Sequence, residues 1–269
     1  EGVEPGNMIV NIILPRPEEA TAYFHYQMRL MSETANILGY ESDSKRYAEY
    51  ADGAKKAYSY LFVKENTIKT DRQAKLVRPL ALGLLDGEVK KNVEDRLEKV
   101  LSKNDWKIGT GFLSTPFILP VLTETGKLDA AFKVLENEEV PGWLFAPKQG
   151  ATTIWESWEG YDNDGIPKAS HNHYAFGAVC EWLFNTVAGI NVAGENEFLI
   201  APQFGGTLTH ASAKYQSIFG EVSSSWKLKD GIFNLEVDVP SNCTAKIILP
   251  NRETHKVEHG HHILTIAAD

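Results

Sequence analysis

EEATAYFHYQMRLMSETANILG, residues 18–39, decides the fold of the first part of the chain. Its apolar positions Ala20, Phe24, Met28, Met31, Ala35 and Leu38 recur every three or four residues, the spacing that lines one face of an α-helix, and Gly39 can close that helix in the left-handed conformation. Tyr47, Tyr50, Ala54, Tyr58 and Leu61 repeat the pattern after Asp43. Weaker or shorter helical patterns follow over 71–84, 87–102, 111–125, 128–137 and 174–188. Seven helices with mostly short connections predict an all-α domain of antiparallel hairpins spanning residues 1–189. The longest interruption, about 138–168, is rich in Gly, Pro and Trp, and long loops in compact domains usually carry function.

Beyond Gly189 the period shortens to two. Phe233, Leu235, Val237 and Val239 alternate with Asn234, Glu236 and Asp238, a half-buried strand that stops at Pro240 and is preceded by the hairpin turn Lys229-Asp230-Gly231. Ala245, Ile247 and Leu249 alternate likewise, and 207–216, 219–228 and 262–267 are further strand candidates. Residues 190–269 therefore read as a small antiparallel β-sandwich, expected to stabilise the helical domain rather than to touch substrate.

Within the long loop, Gly150-Ala151-Thr152-Thr153-Ile154-Trp155-Glu156-Ser157-Trp158-Glu159 sets one carboxylate between two indoles. Flat indole faces suit the C–H surface of a pyranose, and a carboxylate can bind hydroxyls or take a proton from water. The same residue types also fill cores, so a buried turn is the competing interpretation of the motif alone. A formal charge of −9 over 269 residues argues against a nucleic-acid surface. No apolar run approaches the roughly 18–20 residues that span a bilayer, and Glu1-Gly2-Val3-Glu4 has no signal-peptide character, so no membrane partner is expected. Cys180 and Cys243 set up no disulfide framework.

Three motifs occur in order: Gly109-Thr110-Gly111-Phe112-Leu113-Ser114-Thr115, then Gly150 to Trp158, then Asn172-His173-Tyr174-Ala175-Phe176-Gly177-Ala178-Val179 with Glu181-Trp182-Leu183. Together with Thr21-Ala22-Tyr23 and Phe198-Leu199-Ile200-Ala201-Pro202, they make nearly the whole chain resemble the C-terminal half of bacterial α-L-rhamnosidases of glycoside hydrolase family 78. The resemblance implies part of an (α/α)6 barrel, about seven helices of twelve, followed by a C-terminal β-sandwich. It further implies inverting hydrolysis of terminal α-L-rhamnosyl residues from a rhamnose-containing glycoside or polysaccharide, without a metal or organic cofactor.

The family's general base is the Glu of its Thr-Thr-x-Trp-Glu motif, a position filled here by Glu156. By the same resemblance, Trp155, Trp158 and His173 fall near the sugar. His171 and His173 could be drawn with Glu156, Glu159 or Glu181 as a metal site, but a spacing of two is a weak signal for a tetrahedral shell. His259-Gly260-His261-His262 reads as a surface turn, Trp182 and Trp226 as core, and Trp106 and Trp143 as weaker pocket candidates. The Gly109-Thr110-Gly111 turn lacks the preceding strand and glycine spacing of a phosphate cradle. Arg72, Lys75, Arg78 and Pro79 interrupt a helix that is more apolar in relatives.

The family carries its general acid in an Asp-Glu-Arg motif on the N-terminal half of the barrel, and this sequence has no such motif. The chain is thus expected to be a piece that starts part-way through the catalytic domain, inactive by itself and prone to self-association. Two alternatives remain open at this level: a non-catalytic carbohydrate-binding or structural module, and an inverting (α/α)6 glycosidase acting on another sugar.

Overall fold

The computed structural model describes residues 16–267, which divide into two compact units between Phe176 and Gly177. The first unit is helical. Helix α1 (Pro17–Ile37) packs on α2 (Glu41–Phe62), α3 (Gln73–Ala81) on α4 (Gly87–Lys103), and α5 (Thr115–Glu124) on α6 (Leu128–Leu135), while α3 also meets α5. Three successive hairpins result. Proline starts α1, and Gly39 follows it with φ +79°, so both ends of the opening helix sit where its residue types allow.

The first hairpin closes tightly because its interface is built from small residues. Ala22, Ala35, Ala51 and Ala54 are all buried, and His25 Nδ1 lies 2.9 Å from the Ala51 carbonyl across the interface. In α4, Val93, Leu97, Val100 and Leu101 form the buried stripe expected from their spacing. The charged interruption in α3 has a structural reason. Arg78 is fully buried, its Nη1 donating to Glu18 Oε2, and Tyr58 donates 2.8 Å to Glu18 Oε1, so one polar cluster ties α1, α2 and α3 together.

The helical boundaries differ from expectation in two places. The long loop contains a single turn of helix, α7 (Phe145–Lys148), and the expected helix over 174–188 is broken into a 3-10 turn at Ala175–Ala178, α8 (Val179–Trp182) and a π turn at Leu183–Val187. Trp182 is buried there, as its apolar neighbours imply.

In the second unit, β1 (Ile190–Val192), β2 (Glu197–Ile200), β6 (Thr244–Ile248) and β7 (Thr254–Val257) form one sheet in the order β1-β2-β6-β7. Strands β3 (His210–Ser217), β4 (Gly220–Lys229), β5 (Ile232–Val239) and β8 (Gly260–Ala267) form the other in the order β3-β4-β5-β8. Phe233, Leu235, Val237 and Val239 of β5 all face inward, and Asp230 and Gly231 both have positive φ, as a two-residue hairpin turn demands.

The expectation of a purely antiparallel arrangement is corrected at one pair. β2 runs parallel to β6, with Phe198 opposite Ala245. The chain leaves β2 to build three strands of the other sheet before returning, and so long a connection permits a parallel neighbour where a tight turn would not. The core of this unit is anchored on Trp226, which donates from Nε1 to the Val187 carbonyl at 2.7 Å. Gly189 is required beside it, because a Cβ there would stand 2.2 Å from the Pro202 nitrogen.

Candidate active site

Residues 153–173 fold into an irregular two-stranded arm. Glu156 N–H donates to the Ser170 carbonyl at 2.8 Å, His173 N–H to the Ile154 carbonyl at 2.9 Å, and Lys168 N–H to the Gly160 carbonyl at 2.8 Å. Asp162 turns the tip, its Oδ1 accepting from the amides of Asp164 at 3.0 Å and Ile166 at 2.9 Å. Thr153 fastens the base by donating its hydroxyl to the His171 carbonyl.

Glu156 is half-buried on this arm. Ala169 adopts φ +58°, and the next amide, that of Ser170, turns toward the carboxylate and donates to Oε2 at 2.9 Å. One oxygen is therefore held by the backbone. Among the described residues Glu156 has no cationic partner and Oε1 accepts no hydrogen bond. The neighbouring acids are committed elsewhere: Glu159 pairs with Lys168 at 3.4 Å, and Asp162 serves the tip.

The two indoles have different fates. Trp155 is only 6% exposed; His171 stacks on it with centroids 4.9 Å apart, Tyr161 meets it edge-on at 5.5 Å, and Gly160 lies so close that a Cβ would be 2.1 Å from Cε3. Trp155, expected near the sugar, thus has most of its surface packed inside the arm, where it holds the two halves together. His171 completes that support by hydrogen-bonding the Gly160 carbonyl through Nε2 at 2.6 Å. Trp158 is half-buried, stacked on Phe176 at 3.8 Å and edge-on to Trp143 at 5.8 Å.

The His173 ring stacks with that of Phe112, 5.0 Å away, and runs nearly parallel to that of Tyr174, 5.5 Å away. Its Nδ1 accepts the Ala175 amide at 3.2 Å, which in the neutral ring puts the proton on Nε2 and makes that atom a donor. Phe112 meets Phe176 edge-on at 5.2 Å, so Trp143, Trp158, Phe176, Phe112, His173 and Tyr174 form one continuous aromatic cluster. Sequence reasoning passed over Phe112, Phe176 and Tyr174 as site residues. All three lie inside motifs already singled out, and an aromatic in each flanking motif was the signal available.

Trp143 proves to belong to the cluster, with Nε1 donating to the Phe176 carbonyl at 2.9 Å. Trp106 does not: it follows α4 and carries Lys133 over its ring at 4.8 Å. His261 and His262 lie on β8, bonded to Asp238 and the Glu258 carbonyl, each at 2.8 Å. Among the described residues no three His, Cys, Asp or Glu side chains gather in a metal-binding arrangement, and no helix is long and apolar enough to cross a membrane.

Residues 17–187 match the sequence profile of the bacterial α-L-rhamnosidase six-hairpin glycosidase domain, and residues 191–264 that of the bacterial α-L-rhamnosidase C-terminal domain. The chain belongs to the bacterial α-L-rhamnosidase family. It is 36% identical to an α-L-rhamnosidase of Streptomyces avermitilis over 95% of its own length and 25% of that protein's. With an α-L-rhamnosidase of Formosa agariphila it shares 39% identity over 89% of its own length and 27% of the relative's.

Among solved structures, the native α-L-rhamnosidase of Aspergillus terreus matches with a TM-score of 0.87 at 29% identity, covering 91% of this chain and 30% of that one. The Streptomyces avermitilis enzyme complexed with L-rhamnose matches with a TM-score of 0.85 at 33% identity, covering 92% and 26%. The chain thus spans about a quarter of the length of the curated relatives it matches.

Proposed function

We propose that this chain is the base-bearing part of an α-L-rhamnosidase that hydrolyses terminal rhamnosyl residues of glycosides or polysaccharides with inversion. The observation that carries the proposal is the state of Glu156: one carboxylate oxygen pinned by the Ser170 amide, the other left for water, on an arm braced by Trp155 and His171. An inverting glycosidase needs such a base, with its carboxyl about 6.5–9.5 Å from that of the acid so that a water fits between base and anomeric carbon. The water gives its proton to Glu156 as its oxygen bonds to that carbon. The leaving-group oxygen takes a proton from an acid that the full-length gene product contributes from outside these 269 residues.

In this reading Trp158 presents its uncovered face to the sugar, His173 donates from Nε2 to a hydroxyl, and no metal or organic cofactor takes part. The three helical hairpins are half of an (α/α)6 barrel. Residues 1–189 are assigned to catalysis and 190–269 to a stabilising β-sandwich, although the compact units themselves divide between Phe176 and Gly177.

Glu156→Gln in the full-length gene product keeps the shape of the side chain and removes its basicity. Turnover of an aryl α-L-rhamnoside is expected to fall by about 10²–10⁴-fold in kcat, with KM little changed. Near-normal turnover would remove Glu156 from the role of base.

A further inference from the structure

Trp106 is a tryptophan that the proposed reaction leaves unused, and its backbone is strained. It follows α4 with φ +62°, directly after Asp105 at φ +52°. Left-handed residues at the end of a helix are the usual place of glycine, and a bulky side chain there is costly. The turn is nevertheless firmly tied. The Trp106 amide donates to the Leu101 carbonyl at 2.8 Å, and the Asp105 carbonyl accepts from Asn137 Nδ2 at 2.7 Å. The indole is half-buried, and the Lys133 ammonium of α6 stands 4.8 Å from its ring centroid.

Trp106 and Lys133 line a groove of about 570 Å³ together with the outward stripe of α4, on which Asp95, Glu98, Lys99 and Lys103 share one face through their spacing of three and four residues. Its charges are unequally committed. Lys127, which is not part of the lining, neutralises both carboxylates, its Nζ reaching Asp95 at 3.1 Å and Glu98 at 2.6 Å. Lys103 reaches the Asp71 carboxylate at 3.9 Å. Lys99 and Lys133 are exposed and pair with no carboxylate among the described residues. Two uncommitted ammonium groups and an indole therefore share one concave surface in a chain of formal charge −9. None of the lining residues belongs to the arm or to the aromatic cluster around Phe176.

We propose that this groove is a second binding site, apart from the reacting centre, for an acidic polysaccharide. Its occupant is a stretch of pyranose residues that carry negative charge, as carboxylate or as sulfate. Lys99 and Lys133 meet the charge, and the open part of the indole meets the apolar C–H surface of a sugar ring. Charge by itself would accept any anion, so Trp106 is what selects a sugar. The role also accounts for the strained turn: glycine would satisfy the backbone there and offer the ligand no surface. The proposal rests on the rhamnosidase reading above, since a polymer anchored here stays at high effective concentration near the site that cleaves it.

The test measures binding of the full-length gene product to polygalacturonate, dextran sulfate and neutral dextran by titration calorimetry at one fixed, low salt concentration. Wild type is expected to bind at least one of the two acidic polymers and to bind neutral dextran much more weakly. Trp106→Gly should raise the Kd for the acidic polymer about tenfold, and Lys99→Gln about threefold. Because glycine relieves the left-handed turn, the thermal midpoint of Trp106→Gly should stay within about 2 °C of wild type or exceed it, which a purely structural tryptophan would not allow. Turnover of a small aryl α-L-rhamnoside should remain within about twofold of wild type in both variants.

Preference for polygalacturonate supports the site with a carboxylate as its anion, and preference for dextran sulfate supports it with a sulfate. Equal affinity for neutral dextran would overturn the proposal, as would wild-type affinity for the acidic polymer in Trp106→Gly. Should Trp106→Gly lose binding and several degrees of stability together, Lys99→Gln decides: wild-type affinity in that exposed variant overturns the proposal, and a loss sustains it. Rhamnose release by a wild-type protein that binds neither acidic polymer would overturn the groove and leave the enzyme. Binding without release of rhamnose from the aryl substrate would defeat the rhamnosidase reading and leave the groove as a binding site.

Discussion

At the scale of single residues, the geometry of Glu156 depends on a glycine four positions away. Gly160 has φ +71° and its backbone lies against the ring of Trp155, the residue that braces the arm. Gly160→Ala adds a methyl where Cε3 and Cζ3 already stand, 2.1 and 2.2 Å from the new atom, in a backbone conformation that L-residues adopt at a cost. Strain and overpacking of this kind cost about 1–3 kcal/mol each. The variant is expected to expose Trp155, seen as a red shift and broadening of tryptophan emission, and to lower kcat of the full-length protein at least as strongly as KM changes. An unshifted spectrum with wild-type turnover would show that the arm does not need this packing. Glu156 itself and the order of its neighbours were legible in the sequence, because the motif is contiguous. That Trp155 is packed within the arm while Trp158 is half-buried was not legible, since two indoles flanking a carboxylate look alike until the covered faces are known.

At the scale of elements, the buried cluster of Glu18, Tyr58 and Arg78 joins the first hairpin to the second. Arg78→Met removes the cation and leaves the buried Glu18 charge with the Tyr58 hydroxyl but no counter-ion, a change that typically costs about 3–5 kcal/mol, whereas the pair Glu18→Leu with Arg78→Met removes both charges and is expected to recover most of that loss. Chemical denaturation of the three proteins measures the difference. A single variant as stable as wild type would show that the pair contributes nothing.

Tyr58 adds a pH dependence. Burial first, then the charge of Glu18 and the hydrogen bond to it, push its phenol well above the ordinary value. The folded chain therefore keeps the Tyr58 proton where the unfolded chain releases it. This contribution is complete below about pH 10, the unfolded value, and is lost as pH rises beyond it. Tyr58→Phe should flatten the alkaline fall of the thermal midpoint; an identical slope in variant and wild type would exclude Tyr58 as its source. The sequence pattern marks Arg78 only as an intruder in α3, and its partner lies sixty residues away, beyond the reach of any periodicity.

At the scale of the whole molecule, the 269-residue chain by itself is expected to show no hydrolysis of aryl α-L-rhamnosides. Loss of positioned proton transfer alone lowers rates about 10²–10⁴-fold, and in the proposed reading the acid comes from outside these 269 residues. Phe24 and Met31 of α1 and Leu38 just after it, spaced by seven residues, are exposed, as are Tyr50 and Leu61 of α2. Exposed apolar stripes of this kind favour association, so sedimentation of the purified chain should show species larger than 29.9 kDa. Turnover abolished by Glu156→Gln in this chain would mean that it contains an acid of its own. A strictly monomeric chain would mean that the α1 and α2 stripe needs no cover.

The sequence by itself determined the class of each part of the chain and singled out Glu156 as the proposed base. A 3.6-residue period can bury one face only as a helix and a period of two only as a strand, so α4 and β5 bury the faces their spacing marks, whereas α1 and α2 are helices as expected but leave Phe24, Met31, Tyr50 and Leu61 exposed. Short elements carried no such information. β1, β2 and β7 have three or four residues each, too few to establish an alternation, and their pairing comes from neighbours brought in by the rest of the sheet, including the parallel partner β6. The tertiary structure alone decided which aromatic faces are covered, which oxygen of Glu156 is held, and that Phe112, His173 and Tyr174 stack across sixty residues of chain. These depend on contacts between distant segments, and no local pattern of residue types encodes which face of a ring its neighbours will occupy.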